Sequence, residues 1–171
     1  ASRHLALEIE NTPRNAETGI IKGAEPVALA ARGATRAVLL LHGFLGSPRD
    51  LGDLPAALHE AGLTVRAPLL RGCGTTPRDV IATGPDDWFA GVLEDYDALA
   101  ATHAEVDVLG FSAGGYLAVR LAAERPVHRL VLVNPYVGVT WTPKWLPFSS
   151  DALQEFVEPL IEYVMRTDHF V

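Results

Sequence analysis

The sequence predicts an α/β fold, a mostly parallel sheet with helices on both faces. Residues 37–41 are apolar throughout, which is typical of a strand buried on both faces of a parallel sheet. Residues 106–109 and 129–134 form two further hydrophobic runs, and segments with helical spacing separate the three. Such alternation of strands and helices requires right-handed crossovers, which place helices on both faces of the sheet.

The first connection predicts a helix over residues 48–61, ended by Gly62. Its leucines recur at helical spacing and share one face, at Leu51, Leu54 and Leu58. A strand over residues 63–68 follows directly. This order of elements continues the strand and helix alternation of the predicted fold.

The next helix is predicted to begin with Asp86 or Asp87 as its cap. Its apolar residues have helical spacing and predict a buried face made of Phe89, Val92, Leu93, Tyr96, Leu99 and Ala100. After the strand at 106–109, a last helix covers residues 115–122, and Pro126 ends it. We interpret the tryptophan and tyrosine of this region, Trp88 and Tyr96, as helix-packing residues.

Residues 110–114 read Gly-Phe-Ser-Ala-Gly and join the strand at 106–109 to the following helix. A strand, a sharp turn of small residues and a helix provide the context of a nucleophile elbow. The glycines two positions before and after the serine allow the strand and helix to pack closely. The pattern predicts Ser112 as a nucleophile; the alternative is a structural, glycine-rich turn.

The strand at 37–41 ends in the loop 42–48, where a second part of such a site is expected. Oxyanion-hole donors in acyl-transfer hydrolases of this architecture come from this loop and from the residue after the nucleophile. The predicted donors are therefore the backbone N–H groups of Phe44 and Ala113. We expect His42 to hydrogen-bond the loop backbone and shape the hole rather than to act as the base.

Several stretches together resemble the bacterial carboxylesterase and monoacylglycerol lipase branch of the α/β-hydrolases. They occur in that family's order and spacing, at residues 23–26, 39–48, 71–77, 87–88 and 110–114. The resemblance implies the α/β-hydrolase fold and hydrolysis of carboxylic esters or monoacylglycerols through an acyl-enzyme on Ser112. It also implies one domain over residues 1–171, with a core at about 20–135. Cys73 departs from the family, which usually has histidine there.

The resemblance further implies a short cap segment at 136–158, where Trp141 and Trp145 either line an acyl pocket or fill the core. Beyond Pro159 the chain either continues a kinked helix or forms a strand over residues 160–165. In the second interpretation, Asp168 matches the family's triad acid; a solvated aspartate is the alternative.

The catalytic histidine is the missing member of the predicted site. In the family the base follows the acid, and after Ser112 only His128 and His169 remain. His128 precedes its strand and should lie at the opposite end of the sheet, whereas His169 adjoins Asp168. We therefore expect the fold to be incomplete at its C-terminus, without its base-bearing portion. An uncovered sheet edge would then favour self-association.

Composition narrows the classes of function. A net charge of −7 argues against nucleic-acid binding, and the single Cys73 excludes an intrachain disulfide framework and favours a cytoplasmic location. The sequence predicts no membrane span, cofactor or metal site. The expected partner is a small-molecule ester substrate. The alternative is a truncated or non-catalytic module of the same fold that binds a small apolar ligand.

Overall fold

The computed structural model describes residues 12–135, except for the side chains of Pro77 and Ile81. Its strands are β1 (Val27–Leu29), β2 (Arg36–Leu41), β3 (Thr64–Ala67), β4 (Glu105–Phe111) and β5 (Arg129–Val133). Its α-helices are α1 (Leu54–Glu60), α2 (Pro77–Ile81), α3 (Pro85–Ala100) and α4 (Ala113–Glu124), and Pro48–Leu51 forms a 3-10 helix. Strands and helices alternate along most of this range, as the hydrophobic pattern predicts.

The five described strands form one sheet in the order β1-β3-β2-β4-β5. Strand β1 runs antiparallel to β3, and the other neighbouring pairs are parallel. In the central pair, Leu41 at the end of β2 lies opposite Gly110 near the end of β4. The mostly parallel sheet is thus confirmed, and the loops that follow β2 and β4 leave it side by side.

Strand β2 is buried on both faces, which explains its uninterrupted apolar sequence. Leu39 and Leu41 pack in a core with residues of α3 and α4, among them Phe89, Tyr96, Leu117 and Leu121. Val38 and Leu40 face the other side, where they join the cluster that includes Leu51, Leu54 and Leu58. Helical segments therefore cover both faces of the sheet, as predicted.

Strand β5 differs from its prediction as a buried strand. Each of its residues is exposed, and Val131 has 47% of its surface accessible. Among the described residues β5 pairs with β4 alone, so one of its edges has no described strand beside it. The hydrophobic run correctly indicates a strand, but burial also depends on what packs around it.

The predicted helix over residues 48–61 is wrong as a single element. A 3-10 helix ends at Leu51, Gly52 adopts φ 54° and ψ −133°, and α1 starts only at Leu54. Glycine adopts a positive φ with little strain, so the chain can break the helix here. The three leucines still pack in one cluster, because the segments before and after the break lie on the same face of the sheet.

The predicted cap of α3 is also corrected. Gly84 is the N-cap, and the carboxylate of Asp87 accepts the Gly84 backbone N–H at 2.9 Å. Asp86 pairs instead with Arg120 of α4 at 2.7 Å. Pro85 at the first helical position moves the start upstream, because its fixed φ suits that position. In the predicted buried face, Leu93 is only half-buried and Ala100 is exposed, and the other four residues are buried.

Candidate active site

Ser112 occupies a sharp turn between β4 and α4. Its backbone angles, φ 53° and ψ −118°, are ones that residues with a side chain rarely adopt. Its N–H donates to the carbonyl of Val133 at 3.0 Å, and its own carbonyl accepts from Gly115 at 2.9 Å. Hydrogen bonds on both sides therefore hold the residue in a strained conformation, a feature that concentrates at functional sites.

Glycines around Ser112 allow this turn to be so tight. A Cβ atom on Gly110 would lie 2.6 Å from the Gly115 Cα, and one on Gly115 would lie 2.7 Å from the Pro135 Cβ. A Cβ on Gly114 would come closer than 3.0 Å to the carbonyl oxygens of Leu41 and His42. The two glycines of the pentapeptide are thus required because strand and helix backbones approach each other directly.

The loop after β2 passes beside Ser112. A Cβ built on Gly43 would lie 3.3 Å from the Ser112 Cβ, so the Gly43 backbone borders the serine side chain. Within residues 12–135, the N–H groups of Phe44 and Ala113 have no hydrogen-bond acceptor from the protein. The two predicted oxyanion donors therefore belong to the loop and the turn that meet at Ser112.

Aromatic side chains extend from this junction. Phe44 is 41% exposed, and its ring centroid lies 5.6 Å from that of Trp88 on α3. The Trp88 indole N–H donates to the Thr83 hydroxyl at 3.1 Å, which holds the ring in place. Sequence reasoning interpreted Trp88 as a packing residue and missed its contact with Phe44. The distance along the chain between the two residues leaves no local signal for this pair.

His42 is fully buried and uses both ring nitrogens. Its Nε2 accepts the Leu70 backbone N–H at 3.0 Å, and its Nδ1 lies 2.8 Å from the Gly43 carbonyl oxygen. Burial lowers the pKa of His42, and this effect outweighs the opposing influence of the Gly43 carbonyl and of Asp50. A neutral, buried imidazole with both nitrogens occupied is not a base for Ser112.

The other described histidines are bonded elsewhere. His59 Nδ1 lies 3.3 Å from the Leu63 carbonyl oxygen, and His103 Nε2 lies 3.0 Å from the Thr64 hydroxyl. His128 Nδ1 lies 2.7 Å from Asp107, near the start of β4 and hence at the end of the sheet opposite Ser112, as predicted. In residues 12–135, no histidine is hydrogen-bonded to Ser112.

The remaining predicted site residues lie outside the described range. They are the candidate acid Asp168, its neighbour His169, and the cap-segment residues Trp141 and Trp145. The structure therefore brings together Ser112, Ala113 and the loop of Phe44. The assignment of the acid stays a prediction from the sequence.

Cys73 is a buried neighbour of the loop that carries Phe44. The thiol is buried, and burial raises its pKa to about 11, with the Leu45 backbone acting in the opposite direction. A thiol with so high a pKa is a poor nucleophile at neutral pH. The geometry agrees with a packing role and shows that this position borders the loop carrying Phe44.

The described residues contain neither a candidate metal site nor a membrane-spanning helix. Between Thr12 and Pro135, no three side chains of the metal-ligating types come together as a candidate metal site. No helix in that same stretch has both the length and the apolar character required to cross a membrane.

Known proteins resemble this chain in sequence. A carboxylesterase of Bacillus subtilis is 35% identical over 112 residues, which are 65% of this chain and 46% of that protein. A thermostable monoacylglycerol lipase of a Bacillus species is 37% identical over 121 residues, or 70% of this chain and 48% of that protein. The chain thus spans about half the length of these curated relatives.

A solved structure from work on the metagenome-derived lipolytic enzymes LipS and LipT is also similar. It superimposes with a TM-score of 0.65 at 32% identity, over 68% of this chain and 47% of that one. The sequence model of the alpha/beta hydrolase family matches residues 38–170, which include β2, the loop after it and the Ser112 turn. This chain therefore belongs to the alpha/beta hydrolase family.

Proposed function

We propose that this protein is a serine esterase that hydrolyses carboxylic esters or monoacylglycerols. The observation that carries the proposal is the strained backbone of Ser112, held between β4 and α4 beside Gly43. A serine in this position presents its hydroxyl at the carboxyl end of the parallel strands, where ligands bind in open α/β sheets.

In the proposed mechanism, the Ser112 hydroxyl attacks the ester carbonyl and its proton passes to a histidine outside residues 12–135. The N–H groups of Phe44 and Ala113 stabilise the oxyanion, and the alcohol leaves with a proton from the same histidine. Water then hydrolyses the acyl-enzyme by the reverse proton transfers. Asp168 is the proposed acid that orients the imidazole.

The proposed substrate class follows from relatives and is consistent with the site. The two curated relatives are named as a carboxylesterase and a monoacylglycerol lipase. The exposed Phe44 ring, supported by Trp88, offers an apolar surface next to the proposed oxyanion donor. We therefore propose a small ester with a short or medium acyl chain, because an apolar chain would pack against such a surface.

Two further proposals concern the setting of the enzyme. We propose a cytoplasmic location because the chain has a single cysteine, and cell fractionation showing an exported protein would overturn this. We also propose that the 171-residue chain by itself associates through the exposed β5, whose residues include Leu130 and Val131. A monomeric mass in sedimentation at micromolar concentration would contradict it.

Covalent labelling tests the central proposal. The full-length protein is treated with a fluorophosphonate, and the adduct is located by peptide mass mapping. We expect the adduct on Ser112 and no labelling of Ser112→Ala. Ser47→Ala, which removes a hydroxyl from the neighbouring loop, is the control and should label normally. Labelling elsewhere, or none in the folded protein, would reject the proposal and favour the ligand-binding alternative.

A further inference from the structure

We propose that His42 is a positioning residue that aims the Phe44 N–H at the reacting carbonyl through the peptide group between Gly43 and Phe44. This inference rests on the proposed function, since it concerns the oxyanion donor of the same site. His42 itself does not touch the substrate in this arrangement. It acts on catalysis through the orientation of one backbone group.

The tautomer of His42 follows from its partners. The Leu70 backbone N–H can only donate, so His42 Nε2, at 3.0 Å, must accept and carries no hydrogen. The proton of the neutral ring therefore resides on Nδ1, which donates to the Gly43 carbonyl at 2.8 Å. Complete burial of the side chain disfavours a second proton. Leu70 thus determines which nitrogen of His42 is the donor.

The hydrogen bond to Gly43 has a consequence for Phe44. The peptide group is planar and, as elsewhere in the described residues, not cis, so the Gly43 C=O and the Phe44 N–H point in opposite directions. The Gly43 oxygen accepts from His42 on one side and from the Gly46 N–H at 3.2 Å. With the oxygen held by two donors, the Phe44 N–H must point away from His42.

That direction matters because the same peptide lies beside Ser112. The Gly43 backbone borders the serine side chain, and the Phe44 N–H has no protein acceptor within residues 12–135. An aimed donor stabilises an oxyanion only if it is oriented before the reaction. If the peptide group rotated, the Phe44 N–H would turn away while Ser112 stayed in place. Loss of the hydrogen bond donated by His42 should therefore destabilise the transition state more than it weakens substrate binding.

Two conservative variants separate the two nitrogens of His42. In His42→Asn, the amide reaches the position of Nδ1 and can still donate to Gly43, but it loses the Leu70 contact. In His42→Gln, the longer side chain reaches the position of Nε2 and can still accept from Leu70, but it leaves the Gly43 carbonyl without this donor. Each variant thus loses one hydrogen bond, and only one loses the bond that orients Phe44.

The measurements are kcat, KM and the rate ratio between an oxygen ester and the matching thionoester. Sulfur accepts hydrogen bonds weakly, so the ratio reports whether the oxyanion donors are aimed. Because removing one such donor lowers kcat by roughly 100- to 1,000-fold, we expect His42→Gln to lose at least about tenfold in kcat with little change in KM. His42→Asn should retain most of the wild-type kcat and of the ester-to-thionoester rate ratio. The control His59→Gln should match the wild type in both.

The outcomes are distinguishable from failure of the proposed function. A wild-type protein whose Ser112 is not labelled by the fluorophosphonate would reject that function, and the inference with it. If the wild type is labelled but the two His42 variants lose kcat equally, or neither loses it, only the inference is overturned. If neither variant folds, nitrogen NMR of the wild type decides, since the proposal requires the His42 proton on Nδ1. A proton on Nε2 would overturn it.

Discussion

Gly114 lies directly against the end of β2, where a Cβ atom at position 114 would come closer than 3.0 Å to the carbonyl oxygen of Leu41. This approach brings the first turn of α4 onto the strand that leads into the Phe44 loop. The carbonyl is part of the backbone and cannot move aside as a flexible side chain can. The contact therefore sets the distance between the two halves of the proposed site.

Replacement of Gly114 by alanine should destabilise the fold. The added methyl has no space against Leu41 and His42, and overpacking of this kind costs about 1–3 kcal/mol. Urea unfolding measures the change. Gly91→Ala in α3 is the matched control, because its Cβ would meet only the Arg71 side chain at 3.5 Å. That variant should be neutral or more stable by up to about 1 kcal/mol, since alanine favours helix. Equal effects would contradict the prediction.

At position 112 glycine should be more stable than alanine. Both Ser112→Gly and Ser112→Ala remove the hydroxyl, but only glycine accepts φ 53° without strain, which otherwise costs about 1–3 kcal/mol. Ala123→Gly, at an exposed position of α4, should show the opposite order, with glycine less stable than alanine by about 1 kcal/mol. Thermal unfolding measures the stability of the three variants relative to the wild type. An alanine variant as stable as the glycine variant would mean that the turn is not strained.

His42 should make stability depend on pH. Burial lowers its pKa in the folded protein, so below the unfolded value of about 6.5 the unfolded chain binds the extra proton. This residue therefore opposes folding as the pH falls below about 6.5, by up to about 1.4 kcal/mol per pH unit. Urea unfolding at about pH 7 and pH 5 should show a steeper loss in wild type than in His42→Asn. Equal losses of stability in the two proteins would show that folding does not lower the pKa of His42.

Cys73 should be unreactive in the folded protein. With a pKa of about 11, only about one thousandth of the thiol is ionised at pH 8, and burial also blocks access. We expect negligible reaction with a disulfide reagent until the chain is unfolded in urea, when one equivalent reacts, because the chain has a single cysteine. Rapid reaction without denaturant would show that the loop beside Cys73 opens.

Asp168 can be tested by an isosteric change in the full-length protein. If it orients the catalytic imidazole, Asp168→Asn should lower kcat steeply, by up to about ten-thousand-fold, since the amide favours the wrong tautomer. Circular dichroism checks that the fold is retained. Asp151→Asn is the control and should keep its activity. A near-normal rate for Asp168→Asn, or a comparable loss for Asp151→Asn, would move the acid role away from Asp168.

The fold could be predicted largely from local pattern. The apolar runs locate β2, β4 and β5, because strands of a parallel sheet typically carry apolar side chains on both faces. The pentapeptide around Ser112 locates the strand-to-helix turn, because only small residues fit there. The prediction of a single helix over residues 48–61 was wrong. The leucine spacing indicates that these residues share one face, but it does not reveal that the helix breaks at Gly52.

The contacts of the site were decided by the tertiary structure. His42 and Leu70 are 28 residues apart, and nothing in either segment alone indicates that the Leu70 N–H assigns the His42 proton. The approach of Gly43 to Ser112 likewise depends on the parallel pairing of β2 with β4. The exposure of β5 depends on its neighbours in the sheet rather than on its own residues.

The sequence by itself thus determined which segments become strands and helices, and which serine lies in the sharp turn. Local backbone preference and hydrophobic spacing act within a few residues, so they can be read from the chain directly. The tertiary structure alone decided the sheet order and the approach of the loop after β2 to Ser112. Those features depend on packing between distant segments, where one hydrogen bond or one missing Cβ atom decides the arrangement.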